Sequence, residues 1–448
     1  MPMPLVIPLP AHVEAIYAKN VDSDAATELI VELSTAAGSA PDRVSLLVLH
    51  FAAGGQLERQ ERYELGHRAL AWDAAGALYG MDKEGLLRLR PGAEPERLVK
   101  TSTPLVGLGP TRPIFSPFAH DLDGDGIAEL LLYAGGRISA FTADGREFGH
   151  LDAAAEGELS SRGRAGGQSL DVRVRAPSYA VGDLDGDGVR DLVIPAGATA
   201  TLAYSGPGLG ARVRVAKLPL DLEPPEAPPS DGEERREIAE IWFRDFDGDG
   251  RLDLGLYRWV TTGSFFGATA EVLLCRGDGS GFGPPVAFAT EVAAFGLEPV
   301  DIDGDGDLDL VGPLVDVGLG NVARALVTQE VKIDLSAFKM ENGRWASVPV
   351  TLRQLPFVLS APARLQSWFR ADVNGDGRLD LVTNDAQDLV RVYAGTATGV
   401  AGTPLWEQAV KVPSGEGTLL AADLDGDKKA EVVVWGPDQR QLTVLRSP

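Results

Sequence analysis

The sequence predicts an all-β fold, a single β-propeller of eight four-stranded blades. Three observations predict it. One short acidic string recurs six times in the 448 residues, starting at positions 121, 183, 245, 301, 372 and 423. Each copy runs straight into an apolar, β-prone stretch, such as Leu130-Leu131-Leu132-Tyr133, Leu192-Val193-Ile194 or Val432-Val433-Val434-Trp435. The copies start 51 to 71 residues apart with about four strand-like runs per unit, which is the period of a propeller blade.

The unit around the fifth string shows the pattern. Trp368-Phe369-Arg370 reads as a first strand leading into the loop, followed by strands over 379–383, 389–393 and 406–412. The first 115 residues keep the pattern in weaker form. Asn20-Val21-Asp22-Ser23-Asp24-Ala25-Ala26-Thr27-Glu28 aligns with the acidic string, both glycines replaced. A further unit over 69–89 has shrunk its loop to a short glycine turn. Counting both gives eight blades, with seven the alternative if one of them is not a true blade. Unit boundaries are expected near 13–66, 67–110, 111–175, 176–236, 237–292, 293–360, 361–413 and 414–448, within a single domain. After Glu431 only two more strands fit, so the last blade lacks its outermost strand. Leu5-Val6-Ile7-Pro8-Leu9 is expected to supply it and so close the ring, since a proline is tolerated on an edge strand.

The string itself is Asp-x-Asp/Asn-Gly-Asp with a further acid at position 9. The first copy offers the side chains of Asp121, Asp123, Asp125 and Glu129 and the backbone carbonyl of Ile127. The second offers Asp183, Asp185, Asp187 and Asp191 with the carbonyl of Val189, and the third Asp245, Asp247, Asp249 and Asp253 with that of Arg251. The fourth offers Asp301, Asp303, Asp305 and Asp309 with Asp307, whose own carboxylate is an additional acid. The fifth offers Asp372, Asn374, Asp376 and Asp380 with Arg378, and the sixth Asp423, Asp425, Asp427 and Glu431 with Lys429. Carboxylates crowded in this way repel one another unless a cation sits among them. An all-oxygen donor set selects a hard cation, and Ca2+ at five to six sites is the expected cofactor. Position 12 is Leu132 in the first copy and Ile194 in the second, where an EF-hand needs a bidentate Glu on an exiting helix. These loops join strands. Glycines at positions 4 and 6 permit a partly left-handed path, and Lys428 at position 6 of the last copy predicts the weakest site.

Charge supports the same reading. Of 65 Asp and Glu, 23 occupy ligand positions, which leaves 42 acids against 41 Lys and Arg. The net charge of −24 is therefore lodged in the loops, and such an acidic chain is not expected to bind nucleic acid.

These residues resemble the FG-GAP/VCBS family, the calcium-loop propeller repeat also found in integrin α-subunit heads. The resemblance covers about residues 115–446 on strict motifs and 13–446 with the two weaker units. It implies a calcium-binding propeller, and the family spans adhesins, lectins and a few polysaccharide-degrading enzymes.

Other features carry less. No stretch is long and apolar enough to span a membrane. The first ten residues lack a basic residue and are broken by prolines, so they do not read as a signal peptide. Cys275, the single cysteine, excludes an internal disulfide. Metal clips in place of disulfides suit an extracellular, cell-surface or periplasmic protein, and a monomer is expected. The stretches 152–167 and 222–240 read as exposed loops. Arg276-Gly277-Asp278 spells an integrin-recognised tripeptide but sits in a Gly-rich turn of this repeat. Trp72, Trp242 and Trp368 are placed either to stack on a sugar or to wedge between blades. His120, abutting Asp121, is the one histidine singled out. The leading expectation is a non-catalytic binding propeller that presents loops to a protein or glycan at a cell surface. The alternative is a polysaccharide-degrading enzyme resembling rhamnogalacturonan lyases, in which Arg244 and Arg370 would hold an anionic sugar.

Overall fold

A computed structural model of the chain describes residues 3–22, 24–34, 44–65, 69–101, 114–164, 167–220, 222, 234–261, 268–290, 293–294, 296–315, 320, 324, 327–358, 369–385, 388–411, 418–436 and 439–447. Eight antiparallel sheets of four strands follow one another along the chain. The first blade is His12–Lys19, Glu28–Ser34, Val44–Ala52 and Gln56–Glu64. The second is Ala69–Ala74, Leu78–Asp82, Gly85–Arg88 and Glu96–Lys100. Ala119–His120, Glu129–Ala134, Arg137–Phe141 and Glu147–Asp152 form the third, and Ala180–Gly182, Asp191–Ala196, Thr199–Tyr204 and Arg212–Lys217 the fourth. The fifth is Arg235–Arg244, Asp253–Thr261, Thr269–Cys275 and Val286–Ala289. In the sixth, Ala293–Ala294 and Glu298–Val300 share the innermost place beside Asp309–Val315, Glu330–Phe338 and Val350–Val358. The seventh is Phe369–Ala371, Asp380–Asp385, Leu389–Tyr393 and Trp406–Ala409. The eighth joins Thr418–Ala422, Glu431–Trp435 and Gln441–Leu445 to the amino-terminal strand Leu5–Pro8, with Leu5 opposite Val444 and Ile7 opposite Leu442.

Burial on both faces of the inner strands, as in Val44–Ala52, Leu78–Asp82 and Glu431–Trp435, explains how blades stack. Each sheet presents one apolar face to the blade before it and one to the blade after. The result is eight apolar clusters, one per pair of neighbours. Trp72 packs with Ile30, Val48 and Leu87 between the first and second blades. Trp242 packs with Phe246, Leu310 and Phe338 between the fifth and sixth. The eighth and first blades share Ile7, Val13, Leu29, Leu424, Val433 and Val444, which makes the arrangement a ring.

Two sequence expectations need correction. Residues 156–164 and 167–175 are not a loop but a two-stranded hairpin, Glu156 opposite Arg175, following the third blade. Its Leu159, Leu170, Val172 and Val174 are β-formers that the Ala, Gly and Ser content obscured. Likewise 235–240 continues the first strand of the fifth blade, paired with 257–261, so the exposed-loop reading of 222–240 fails over its last third. An unanticipated addition is Ile114–Phe115, which pairs in parallel with Ala71 and Trp72 on the inner strand of the second blade.

Candidate metal centres

Each acidic string links the first and second strands of its blade, so all lie at one end of the ring. The loops touch. The position-8 N–H of one loop donates to the position-1 or position-2 carbonyl of the loop before it. Arg190 donates to Leu122 (3.2 Å), Leu252 to Asp183 (2.7 Å), Leu308 to Phe246 (2.8 Å), Ala430 to Asp372 (2.8 Å) and Thr27 to Asp423 (2.9 Å). Neighbouring backbones come close enough that a Cβ on Gly304 would lie 2.7 Å from the Gly377 carbonyl oxygen.

Within a loop the carboxylates first serve the backbone. In the fourth blade, Asp183 Oδ1 accepts from the N–H of Gly186 (2.6 Å) and its Oδ2 from that of Gly188 (2.7 Å). Asp187 Oδ1 accepts from Val189 N–H (2.8 Å), and Asp191 Oδ2 from Leu184 N–H (2.9 Å). These bonds turn the chain through two left-handed residues, and glycines 4 and 6 carry positive φ in the loops (79° and 85° for Gly186 and Gly188). In the last loop Lys428 takes the same turn at φ 68° and still donates to Asp423 Oδ2 (2.9 Å). Position 2 anchors the loop: Leu122, Leu184, Phe246, Ile302, Val373 and Leu424 are all fully buried. That apolar position is a regular signal in the sequence beside the acids, and Ile127, at position 7, points its side chain outward.

The acids converge. Ligand oxygens of Asp121, Asp123 and Glu129 lie within 4.8 Å of one another, as do those of Asp183, Asp185 and Asp191 and of Asp245, Asp247 and Asp253. In the sixth blade the converging set is Asp301, Asp303 and Asp305. Burial holds the position-9 acids far above the usual carboxylate range, to about 7 for Glu129 and Glu431 and about 6 for Asp191, Asp253 and Asp309. Desolvation is the main cause, opposed by backbone N–H donors and reinforced by neighbouring loop acids. Several buried oxygens, Asp185 Oδ1, Asp245 Oδ1, Asp247 Oδ1, Asp303 Oδ1 and Asp309 Oδ2, have no hydrogen-bond partner. An all-oxygen donor set with orphaned, mutually repelling acceptors fits a hard divalent cation. The seventh loop differs through Asn374, whose Nδ2 lies 3.3 Å from Asp380 Oδ1, and Asp376 holds Arg378 N–H (3.0 Å). In the eighth, Asp427 Oδ1 accepts from Lys429 N–H and Asp425 Oδ2 from Gly54 N–H of the first blade, each at 2.8 Å. Asp249 and Asp305 likewise hold the N–H groups of Arg251 (2.9 Å) and Asp307 (3.0 Å).

This chain is an eight-bladed β-propeller with FG-GAP-like repeats in part of its ring. The family model described as an FG-GAP-like repeat matches residues 245–312 and 372–434. No curated protein matches the chain. Among solved structures it is similar to an Agrocybe aegerita lectin that recognises non-reducing terminal N-acetylglucosamine (15% identity, 84% of this chain and 86% of that one, TM-score 0.41). It is also similar to BBS1N in complex with ARL6DN (12%, 98% and 94%, TM-score 0.37) and to the V. cholerae biofilm matrix protein Bap1 (13%, 97% and 77%, TM-score 0.29).

The structure sorts the remaining candidates. Trp72 is fully buried against Tyr17 and Phe115, and Trp242 stacks on Tyr257 with its Nε1 donating to Glu240 (2.7 Å), so both wedge the core; Trp368 lies outside the described residues. Arg276 pairs with Asp247 (2.7 Å), Gly277 N–H donates to Asp253 (2.7 Å) and Asp278 caps Ser280 (2.8 Å), which ties the tripeptide into its own blade. Burial holds His120 at about 4 and hence neutral, its ring edge against Tyr179. Arg244 reaches the Pro299 carbonyl (3.4 Å), and Arg370 lies on the first strand of the seventh blade.

Sequence reasoning missed the cations that face the acids. Arg212 meets Asp185 (2.8 Å), Arg59 meets Asp22 (3.3 Å) and Lys339 meets Asp303 (2.5 Å). Three of the facing groups, Arg276, Lys339 and His50, come just after, or at the end of, the third strand, opposite the position-9 acid. That register is invisible until the strand ends are known. The weak first-blade loop folds back on itself. Asn20 Nδ2 donates to the carbonyls of Asp24 (2.7 Å) and Ala26 (3.2 Å), while Asp22, Glu28 and His50 converge behind it.

Proposed function

We propose that this propeller is a calcium-stabilised, non-catalytic binding module that presents its ring of loops to a protein or glycan ligand outside the cell. The observation that carries the reading is the packing of converging acids, several with buried and unpartnered oxygens, into touching loops at one end of the ring. Such a rim is unfavourable without cations and rigid with them. Asp121, Asp123, Asp125 and Glu129, with the Ile127 carbonyl, would hold the ion in the third blade, and the matching residues would do so in the fourth, fifth, seventh and eighth. Bound calcium would neutralise the loops and fix the face that meets a ligand. Sites of this kind in extracellular modules bind at about 10⁻⁴ to 10⁻³ M, which suits secreted or cell-surface surroundings.

The test is thermal unfolding of stripped protein with and without millimolar calcium, together with elemental analysis. The expected outcome is a large rise in Tm with about five ions bound per chain, because metal binding is coupled to folding here. Little metal and an unmoved Tm would sink the calcium reading. Glycan-array binding without turnover of the bound sugar is the expected result for the ligand.

A further inference from the structure

The sixth-blade loop is unlike the others. Its third strand ends at Phe338, opposite Leu310, so the next residue, Lys339, lies opposite Asp309 at position 9. The ammonium folds back into the loop, 2.5 Å from Asp303 Oδ2 and 3.5 Å from Asp309 Oδ2, and the lysine side chain is only 14% exposed. Met340 N–H takes the other oxygen of Asp309 at 2.7 Å. The comparable fifth-blade cation, Arg276, pairs with Asp247 at 2.7 Å and is itself 47% exposed, so its guanidinium can swing into water, although Asp247 is only 10% exposed. Arg212 beside Asp185 is 60% exposed. Lys339 differs in being largely covered itself and in facing two carboxylates at once, Asp303 and the buried Asp309, so its departure leaves both without a partner.

We propose that Lys339 is a built-in cation that takes the place of a divalent ion in the 301–309 loop. The inference rests on the calcium reading of the other loops. It deepens that reading by marking one of the six acidic strings as metal-free, although its sequence is the most acidic of all. Lys339 also supplies the sixth-blade loop with one positive charge at any calcium concentration.

The experiment counts ions by native mass spectrometry and calcium titration on the full chain. K339Q is expected to bind one more calcium than the wild type. In chelator K339Q should melt a few degrees lower, and millimolar calcium should close that gap. In the wild type, D305N should leave the ion count unchanged, whereas D249N in the fifth-blade loop should lower it by one. Equal counts for wild type and K339Q, or a lost ion in D305N, would overturn the proposal. Asp305 is exposed, so D305N decides the matter even where K339Q fails to fold. Should no loop of the wild type bind calcium, the calcium reading itself fails. The K339Q comparison in chelator then decides for or against the built-in cation: a lower Tm supports it and an unchanged Tm removes it.

Discussion

At the scale of single residues, position 9 controls the chemistry of each loop. Its carboxylate leaves water for a site where it accepts backbone N–H bonds and faces other acids. Glu129 and Glu431 rise to about 7 against an ordinary value near 4.5. A folded-state pKa above the unfolded one means stability that is present below the unfolded value and lost as pH climbs through the folded one. Calcium-stripped protein should therefore lose Tm steadily as pH rises from about 4.5 to about 7. Saturating calcium should reverse the trend, since the metal binds the ionised form. Differential scanning calorimetry across that range reads both branches, and a stripped-protein Tm that is flat or rises with pH contradicts the burial argument. The acids and glycines of these loops were legible in the sequence because spacing alone specifies them. The cations were not: Lys339 and Arg276 lie 36 and 29 residues beyond Asp303 and Asp247, the acids they meet, and only strand register brings them back.

At the scale of elements, the regular strands were legible and the irregular ones were not. Leu389–Tyr393 and Glu431–Trp435 alternate or run apolar with β-branched residues, and they stand where the pattern puts them. The 156–175 hairpin was hidden because polar and glycine residues dilute its β-formers, and the parallel pairing of Ile114–Phe115 rests on a tertiary contact with Trp72. The amino-terminal strand is short, and its contribution comes from one side chain above all. Ile7 is 1% exposed and sits among Leu29, Leu442 and Val444, whereas Val6 faces solvent. Ile7→Ala should cost about 2–5 kcal/mol by creating a cavity in the shared core of the eighth and first blades. Val6→Ala should change stability by no more than about 0.5 kcal/mol. Urea unfolding in calcium compares the two; equal losses would mean that the strand is held by its backbone pairing alone.

At the scale of the whole molecule, the loops are coupled through their backbones. The N–H of Leu252 donates to Asp183, so the fifth-blade loop rests on the fourth-blade loop, which rests through Arg190 on the third. Leu308 extends the series to the sixth blade, and Thr27 carries it from the eighth to the first. An ion bound in one loop fixes the carbonyl that its neighbour's amide needs, so loading one site should order the next. Hydrogen exchange tests this amide by amide. Calcium should slow exchange at Arg190, Leu252, Leu308, Ala430 and Thr27. Asp187→Asn, which weakens only the fourth-blade site, should speed exchange at Leu252 in the next blade as well as at Arg190 in its own loop, and leave Ala430 across the ring protected. Acceleration confined to the fourth blade would show that the loops bind independently. Acceleration at all five amides would instead make the rim a single cooperative unit.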